Sequence, residues 1–87
     1  MKIKLRLFGA FRDCEPGGEI EFEVAPGAEV AGLRMAFDAH ARAAWGERYP
    51  AGLLKVSAFA SETDVLDEQQ SLAGLHGLAV LPPVSGG

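Results

Sequence analysis

The sequence has few cysteines, no basic cluster and no long apolar run, and each absence excludes a class of protein. Cys14 is the only cysteine in 87 residues, so the chain has no internal disulfide and no cysteine-based metal site. Its eight Lys and Arg are scattered among twelve Asp and Glu, and no basic cluster suggests a nucleic-acid partner. No apolar run approaches the roughly 18 residues of a membrane span, and no N-terminal signal region is visible. We therefore expect a cytoplasmic protein without nucleic-acid or membrane partners.

Residues that could catalyse a reaction are also scarce. The chain has no Ser/His/Asp constellation and no glycine-rich loop that could cradle a phosphate. Four carboxylates cluster at Glu62, Asp64, Asp67 and Glu68; we interpret them as part of a solvated loop, with acid–base work or a metal site as the minor alternative. His76 is interpreted as a loop histidine. We expect no metal and no bound cofactor.

Two segments near the N terminus alternate strictly between apolar and charged residues. Residues 2–8 read KIKLRLF and residues 19–24 read EIEFEV, the period of two that is typical of half-buried strands. The turn-forming CEPGG between them predicts a hairpin. Three cations on one strand and three carboxylates on the other favour this pairing, each by a few tenths of a kcal/mol. The apolar face of the hairpin is expected to contact a helix.

The pattern changes to a helical period from Ala28 to about Trp45. Apolar residues recur there at steps of three or four, at Val30, Leu33, Phe37, Ala41 and Ala44. No Ser, Thr, Asp or Asn precedes this stripe, so the helix lacks a good N-cap. The sequence therefore predicts one main amphipathic helix over residues 28–45.

Two further strands are predicted in the second half of the chain. Residues 53–60, LLKVSAFA, are expected to direct Leu54, Val56 and Ala58 inward and Phe59 outward, and residues 78–81, LAVL, form a short last strand. The order strand, strand, helix, strand, strand predicts an α+β domain with a mixed sheet of four to five strands around the helix. The first and last strands should then pair in parallel in the middle of the sheet.

The chain closes on LPPVSGG. Pro82 and Pro83 fix their own φ angles and favour extended geometry in the preceding residues, whereas Gly86 and Gly87 have no side chain and can enter a narrow channel. Fully extended, residues 82–87 reach roughly 20 Å. We predict a folded domain over residues 1–81 and a flexible C-terminal Gly-Gly tail over residues 82–87.

Three segments carry a resemblance to a known family: LFGAFRD at 7–13, the helix at 28–45, and LPPVSGG at 81–87. With the element order, they resemble the ubiquitin-like sulfur carriers, most of all the small subunits of molybdopterin synthase. Pro-Pro is an element that the shorter thiamine sulfur carriers usually lack. The stretch LHGLAV at 75–80 departs from the acidic turn that is common in that family.

The resemblance implies a β-grasp fold and a reactive C terminus. Gly87, preceded by Gly86, would be adenylated by a partner activating enzyme that uses ATP, and a sulfur donor would convert it into a thiocarboxylate. The tail would then enter the large subunit of molybdopterin synthase, where the sulfur passes to a pterin precursor. The chain itself would be a sulfur-donating subunit, with catalysis and ATP binding in its partners.

Docking to these partners requires a surface beside the tail. Phe8, Phe59 and Leu81 are large apolar residues near strand ends or on the predicted outer face, and with Pro82, Pro83 and Val84 they form a predicted partner-binding patch. Ordinary core or edge packing is the alternative for the first three. Three other functions remain open: a carrier for another pathway (thiazole, cysteine or a secondary metabolite), a ubiquitin-like modifier joined to lysines, and a plain interaction module.

Overall fold

One long helix lies across a five-stranded mixed sheet in the computed structural model, which describes residues 1–83. The strands are β1 (Lys2–Leu7), β2 (Glu19–Glu23), β3 (Ala58–Ala60), β4 (Val65–Leu66) and β5 (Ala79–Leu81). The helices are α1 (Gly9–Asp13), the long α2 (Val30–Trp45) and α3 (Ala51–Leu54), with a 3-10 turn at Gly46–Arg48. The strand order is β2-β1-β5-β3-β4. The β1–β5 pair is parallel and the other pairs are antiparallel, which confirms the predicted α+β class and its central parallel pair.

The hairpin of β1 and β2 has the predicted register. Lys2 lies opposite Glu23, Lys4 opposite Glu21 and Arg6 opposite Glu19, while the alternate apolar residues are buried. Within residues 1–83, the only ion pair closer than 4.0 Å on this face joins the N-terminal ammonium to Glu23 at 3.3 Å. The charged rows therefore favour the register through attraction between exposed neighbours rather than through tight ion pairs.

Phe37 on α2 lies at the centre of the core. Its ring centroid is 5.4 Å from that of Phe11, 5.8 Å from Trp45, 6.2 Å from Phe22 and 6.3 Å from Phe59. The five rings come from α1, β2, α2 and β3, so the Phe37 side chain connects the helix with both halves of the sheet. Such tilted and edge-to-face pairs add to the stabilisation from burial alone.

The apolar stripe of α2 differs from its prediction at one position. Val30, Leu33, Phe37 and Ala41 are buried as expected, but Ala44 is exposed and Trp45 takes the last place. The step of four from Ala41 keeps Trp45 on the buried face, and its indole N–H reaches the Glu15 carboxylate at 3.1 Å. The large amphipathic side chain of Trp45 therefore covers this end of the core.

The N terminus of α2 has no side-chain cap, as predicted, and a distant loop takes that role. Glu29 makes no capping bond; instead the backbone N–H groups of Val30 and Ala31 donate to the carbonyls of Gln70 and Glu68 at 3.0 and 2.9 Å. These N–H groups would otherwise have no partner within the helix. The segment around residues 68–70 is therefore bound to the helix rather than only solvated.

The side chain of Arg34 binds the same loop. Its Nε and Nη2 donate to the two oxygens of Glu68 at 2.9 and 2.7 Å, and its Nη1 donates to the carbonyls of Leu54 and Ser57 at 2.6 and 2.9 Å. Its guanidinium carbon also lies 4.9 Å from the centroid of the Phe59 ring. One partly exposed side chain thus ties α2, the end of α3 and the loop together.

The predicted strand over residues 53–60 is wrong in its first half and in its register. Residues 51–54 form α3, and the Ser57 hydroxyl donates to the Leu53 carbonyl at 2.7 Å, so the strand begins only at Ala58. Phe59 is fully buried, whereas Val56 is 65% exposed. Because side chains alternate along a strand, a shift by one residue reverses every orientation. The fifth strand, β4, lies in the segment predicted as a loop.

Replacing Phe37 tests the central position of its ring. We expect Phe37→Ala to lower the free energy of unfolding by about 3–5 kcal/mol, because the change removes four aromatic contacts and leaves a cavity. Chemical denaturation measures this difference. Met35→Ala is the matched control on the same helix, since Met35 is 74% exposed and its loss should change stability by less than about 0.5 kcal/mol. Equal effects of the two changes would contradict the assignment.

The bond between Arg34 and Glu68 should make stability depend on pH. The hydrogen bonds from Arg34 hold the pKa of Glu68 below its ordinary value of 4.5. The folded state therefore favours the ionised carboxylate, and this contribution is present above that value and lost as the pH falls through the lower, folded pKa. Because the carboxylate is half exposed, Glu68→Gln should remove less than about 1 kcal/mol.

Denaturation of the wild type and the variant across the acid range measures that contribution. The difference between them should be present near neutral pH and shrink toward strongly acidic pH. Glu47→Gln serves as the control, since Glu47 is exposed and makes no ion pair within 4.0 Å inside the described part of the chain. A difference for Glu68→Gln that stays constant with pH would overturn the prediction.

Candidate functional site

The parallel pairing of β1 and β5 decides where the C-terminal segment leaves the sheet. Leu7 pairs with Val80, so Phe8 and Leu81 follow side by side, and Leu81 also lies opposite Ala58 of β3. Val80 points into the core and is fully buried, which places Leu81 on the outer face of the sheet. The segment therefore emerges beside the junction of β1 and α1.

An apolar groove of about 670 Å³ surrounds this exit. It is lined by Phe8, Gly9, Ala10, Leu53, Leu81, Pro82 and Pro83. Every residue of this lining is uncharged, and the large side chains in it are half-buried rather than covered. Arg6 stands at the rim, with its guanidinium carbon 5.7 Å from the centroid of the Phe8 ring. The exit groove therefore offers apolar contact area, with a cation at its edge.

Four of the predicted patch residues meet in this groove: Phe8, Leu81, Pro82 and Pro83. The placement of Phe59 in the patch is wrong, because its ring packs in the core against Phe37 and exposes no surface. Val84, Gly86 and Gly87 lie outside the described residues. The exit groove is thus built from the ends of two strands and from neighbours that the sequence did not indicate.

Two of those neighbours are Leu53 and Gly9. Leu53 was assigned to a strand, and only the helical turn of α3 brings it to the groove. Gly9 has a φ of +58°, and a Cβ atom built on it would lie 2.8 Å from Cγ of Pro82. A glycine directly after an alternating strand is a signal that could have indicated a backbone position with positive φ. Nothing in the sequence indicates that Gly9 would contact Pro82.

A second cluster of titratable groups, Asp38, Arg42 and Tyr49, is engaged in hydrogen bonds that hold the fold. In a second cleft of about 410 Å³ between α2 and α3, Asp38 accepts hydrogen bonds from Arg42 at 2.9 Å and from the Tyr49 hydroxyl at 2.6 Å. The bond from Arg42, followed by that from Tyr49, lowers the pKa of Asp38. Burial, together with the Asp38 carboxylate, raises the pKa of Tyr49. We therefore place the candidate site at the exit groove rather than in this cleft.

Two kinds of feature were not found among the residues that the structure describes. Within residues 1–83, no group of three or more His, Cys, Asp or Glu side chains lies close enough to hold a metal ion. None of the helices in this range is both long enough and apolar enough to cross a bilayer. The exit groove itself contains no titratable side chain. What it can do is support the emerging segment and give a partner an apolar surface beside it.

Comparisons with known proteins identify the family and the fold of the chain. A model of the ThiS family matches residues 5–87. The crystal structure of SAMP1 from Haloferax volcanii superposes with a TM-score of 0.68 and 23% sequence identity over 100% of both chains, a likeness that confirms the predicted β-grasp fold. A search of curated proteins found no match. Because the family model covers nearly the whole sequence, the chain belongs to the ThiS family of ubiquitin-like sulfur carriers.

Proposed function

We propose that this chain is the sulfur carrier of molybdenum cofactor biosynthesis, the small subunit of molybdopterin synthase. The observation that carries the proposal is the exit groove: β5 ends in an uncharged apolar surface and leads through Pro82 and Pro83 toward the terminal glycines. Since the groove has no reactive side chain, the group that this chain contributes is the carboxylate of Gly87. The Pro-Pro element favours this pathway over thiamine synthesis.

The chemistry requires two activation steps on that carboxylate. In the activating enzyme, an oxygen of Gly87 attacks the α-phosphorus of ATP, pyrophosphate leaves, and an acyl-adenylate forms. A donor that supplies sulfur at the level of hydrosulfide then adds to the carbonyl carbon. AMP leaves with the electrons of the broken C–O bond, a proton is released, and Gly87 carries a thiocarboxylate. The sulfur thereby becomes a nucleophile on the terminal residue of the chain.

Transfer takes place in the large synthase subunit. The thiocarboxylate sulfur forms a bond to a carbon of the pterin precursor as an oxygen leaving group departs from that carbon with the electrons of the broken C–O bond. Water then cleaves the bond between the sulfur and the carbonyl carbon of Gly87. The carboxylate is restored without any oxidant or reductant. Two copies of the carrier supply the two dithiolene sulfurs. Because Gly86 and Gly87 have no Cβ atoms, the tail fits the narrow channels that two different active sites require.

Docking would use the apolar groove beside the tail. Phe8, Leu53 and Leu81 are half-buried in the free chain, so a partner that covers them removes further apolar surface from water. Pro82, Pro83 and Val84 continue this contact along the tail. The rim cation Arg6 suits a partner with a carboxylate at the matching position, which would help to set the orientation of the complex.

One experiment separates this function from its alternatives. The tag-free C terminus is kept, the chain is incubated in native extract with ATP and a sulfur source, and retained partners are identified by mass spectrometry. An intact-mass shift of one O-to-S exchange, with dithiolene formation in the presence of the captured large subunit, supports the proposal. Thiocarboxylate without dithiolene formation points to another sulfur pathway. Covalent adducts on lysines of other proteins would instead identify a protein modifier.

Changing the length of the tail tests the role of Gly87. Deleting Gly87 should leave the free energy of unfolding almost unchanged, because chain ends make few contacts. It should abolish sulfur loading, since the new carboxylate lies about 3.5 Å short of the reacting position and a misplacement of 1 Å costs on the order of a hundredfold in rate. Adding one residue after Gly87 should be equally damaging. Intact mass and product assays measure both effects.

The control for tail length is Ser85→Ala, which alters composition but keeps the terminus in place. It should load sulfur at nearly the wild-type rate. Sulfur transfer by the extended chain without prior trimming would show that the terminal carboxylate is not the reacting group.

A charge in the exit groove tests docking. Leu81→Glu should leave the isolated chain folded and weaken binding to the large subunit by roughly tenfold or more, because a carboxylate would lose its water at an apolar contact. Val65→Glu is the matched control: Val65 is 70% exposed on the same outer face of the sheet but at its far edge. Calorimetry measures both affinities. Unchanged affinity for Leu81→Glu, or equal losses for both variants, would remove Leu81 from the interface.

A further inference from the structure

At the exit groove, Gly9 and Pro82 pack closely against each other, each just beyond the end of its strand. β1 and β5 run in parallel to the pair Leu7–Val80, and two residues further on Gly9 opens α1 while Pro82 leaves the sheet. A Cβ atom on Gly9 would meet Cγ of Pro82 at 2.8 Å, a separation that real Cβ atoms essentially never show. The proline ring therefore packs directly on the main chain of Gly9, in space that only glycine leaves open.

We propose that Gly9 is a positioning residue that sets the direction in which the C-terminal segment leaves the sheet. The inference rests on the proposed function, because it concerns how Gly87 is presented to the partner enzymes. Pro82 has no N–H, so it cannot extend the hydrogen-bond ladder between β1 and β5. What orients its ring is packing, and the surface on which it packs is Gly9.

A small rotation of the chain at this contact would produce a larger displacement of the chain end. Where a partner's channel holds residues 82–87 extended over roughly 20 Å, a rotation of about 3° at Pro82 would move the terminus by about 1 Å. Errors of that size cost on the order of a hundredfold in a reaction that depends on orientation. A side chain on Gly9 would push Pro82 outward and thereby misdirect Gly87, while Phe8, Leu53 and Leu81, the large side chains of the lining, are left in place. Binding of the partner would be retained and the chemical step would slow.

A simpler role for Gly9 would be to permit its φ of +58° at the start of α1. Gly27 separates the two roles, because it also has a positive φ, +80°, but a Cβ atom there would meet nothing within 4 Å. It lies in the turn before α2, away from the exit groove. Gly27→Ala thus imposes backbone strain of the same kind without touching Pro82.

The test compares Gly9→Ala, Gly27→Ala, Pro82→Ala and the double variant Gly9→Ala/Pro82→Ala. The probe is the adenylating enzyme that the wild-type chain retains from native extract, and ATP–pyrophosphate exchange gives kcat and KM. We expect Gly9→Ala to lower kcat by roughly ten- to a hundredfold with KM changed by less than about threefold. Gly27→Ala should stay near wild type. On the Pro82→Ala background, which lacks the ring carbon in close contact, Gly9→Ala should add less than about threefold.

Each other outcome contradicts the proposal. A folded Gly9→Ala chain with wild-type kcat, an equal loss in Gly27→Ala, or effects that multiply in the double variant would show that Pro82 does not transmit the change. If Gly9→Ala fails to fold, Pro82→Ala must restore folding, and failure of that rescue also overturns the contact. If the wild type shows no ATP-dependent exchange, the proposed function fails instead; an NMR cross-peak between Gly9 Hα and Pro82 Hγ then decides the contact, and its absence refutes it.

Discussion

The parallel pairing of β1 with β5 is the constraint on which the rest of the structure depends. It brings the first and last strands of the chain together at the centre of the sheet, with Arg6 paired to Ala79 and Leu7 to Val80. Every other element must lie within the connection between those strands, so α2 crosses the sheet and the short β3 and β4 complete its far side. The same pairing places the exit of the C-terminal segment beside Phe8 and Gly9. Fold and candidate site therefore follow from one contact.

A chain of this size has room for one core, and its stability is concentrated there. Phe37 joins the two halves of the sheet through its aromatic neighbours, and Arg34 joins α2 to the loop that caps it. Neither residue touches the exit groove, which is lined only by residues at the ends of elements. The residues that stabilise the core and those that line the exit groove are therefore different sets.

The exit groove is informative because it is chemically inert. Under the proposed function, the groove presents the terminal residue to partner enzymes, and a side-chain active site in this chain is not required. Pro82 and Pro83 have restricted φ angles where the segment leaves the sheet. Membership of the ThiS family agrees with this division between a presenting domain and catalytic partners. The packing of Pro82 on Gly9 adds a means of aiming the terminus from within the domain.

Local patterns in the sequence determined the register of the first hairpin and most of the buried stripe of α2, and they are the basis of the prediction made for the C-terminal tail. Each of these depends on neighbours a few residues apart, where side-chain period and the φ preferences of Pro and Gly act directly. Tertiary structure decided the rest. The orientation of Phe59 depended on whether the preceding residues formed a strand or a helical turn, and a three-residue strand has too little pattern to show its own register. The capping of α2 by the carbonyls of residues 68 and 70, and the contact of Gly9 with Pro82, join residues far apart in the chain. Only the folded sheet brings such pairs within bonding or packing distance, so no local signal could have revealed them.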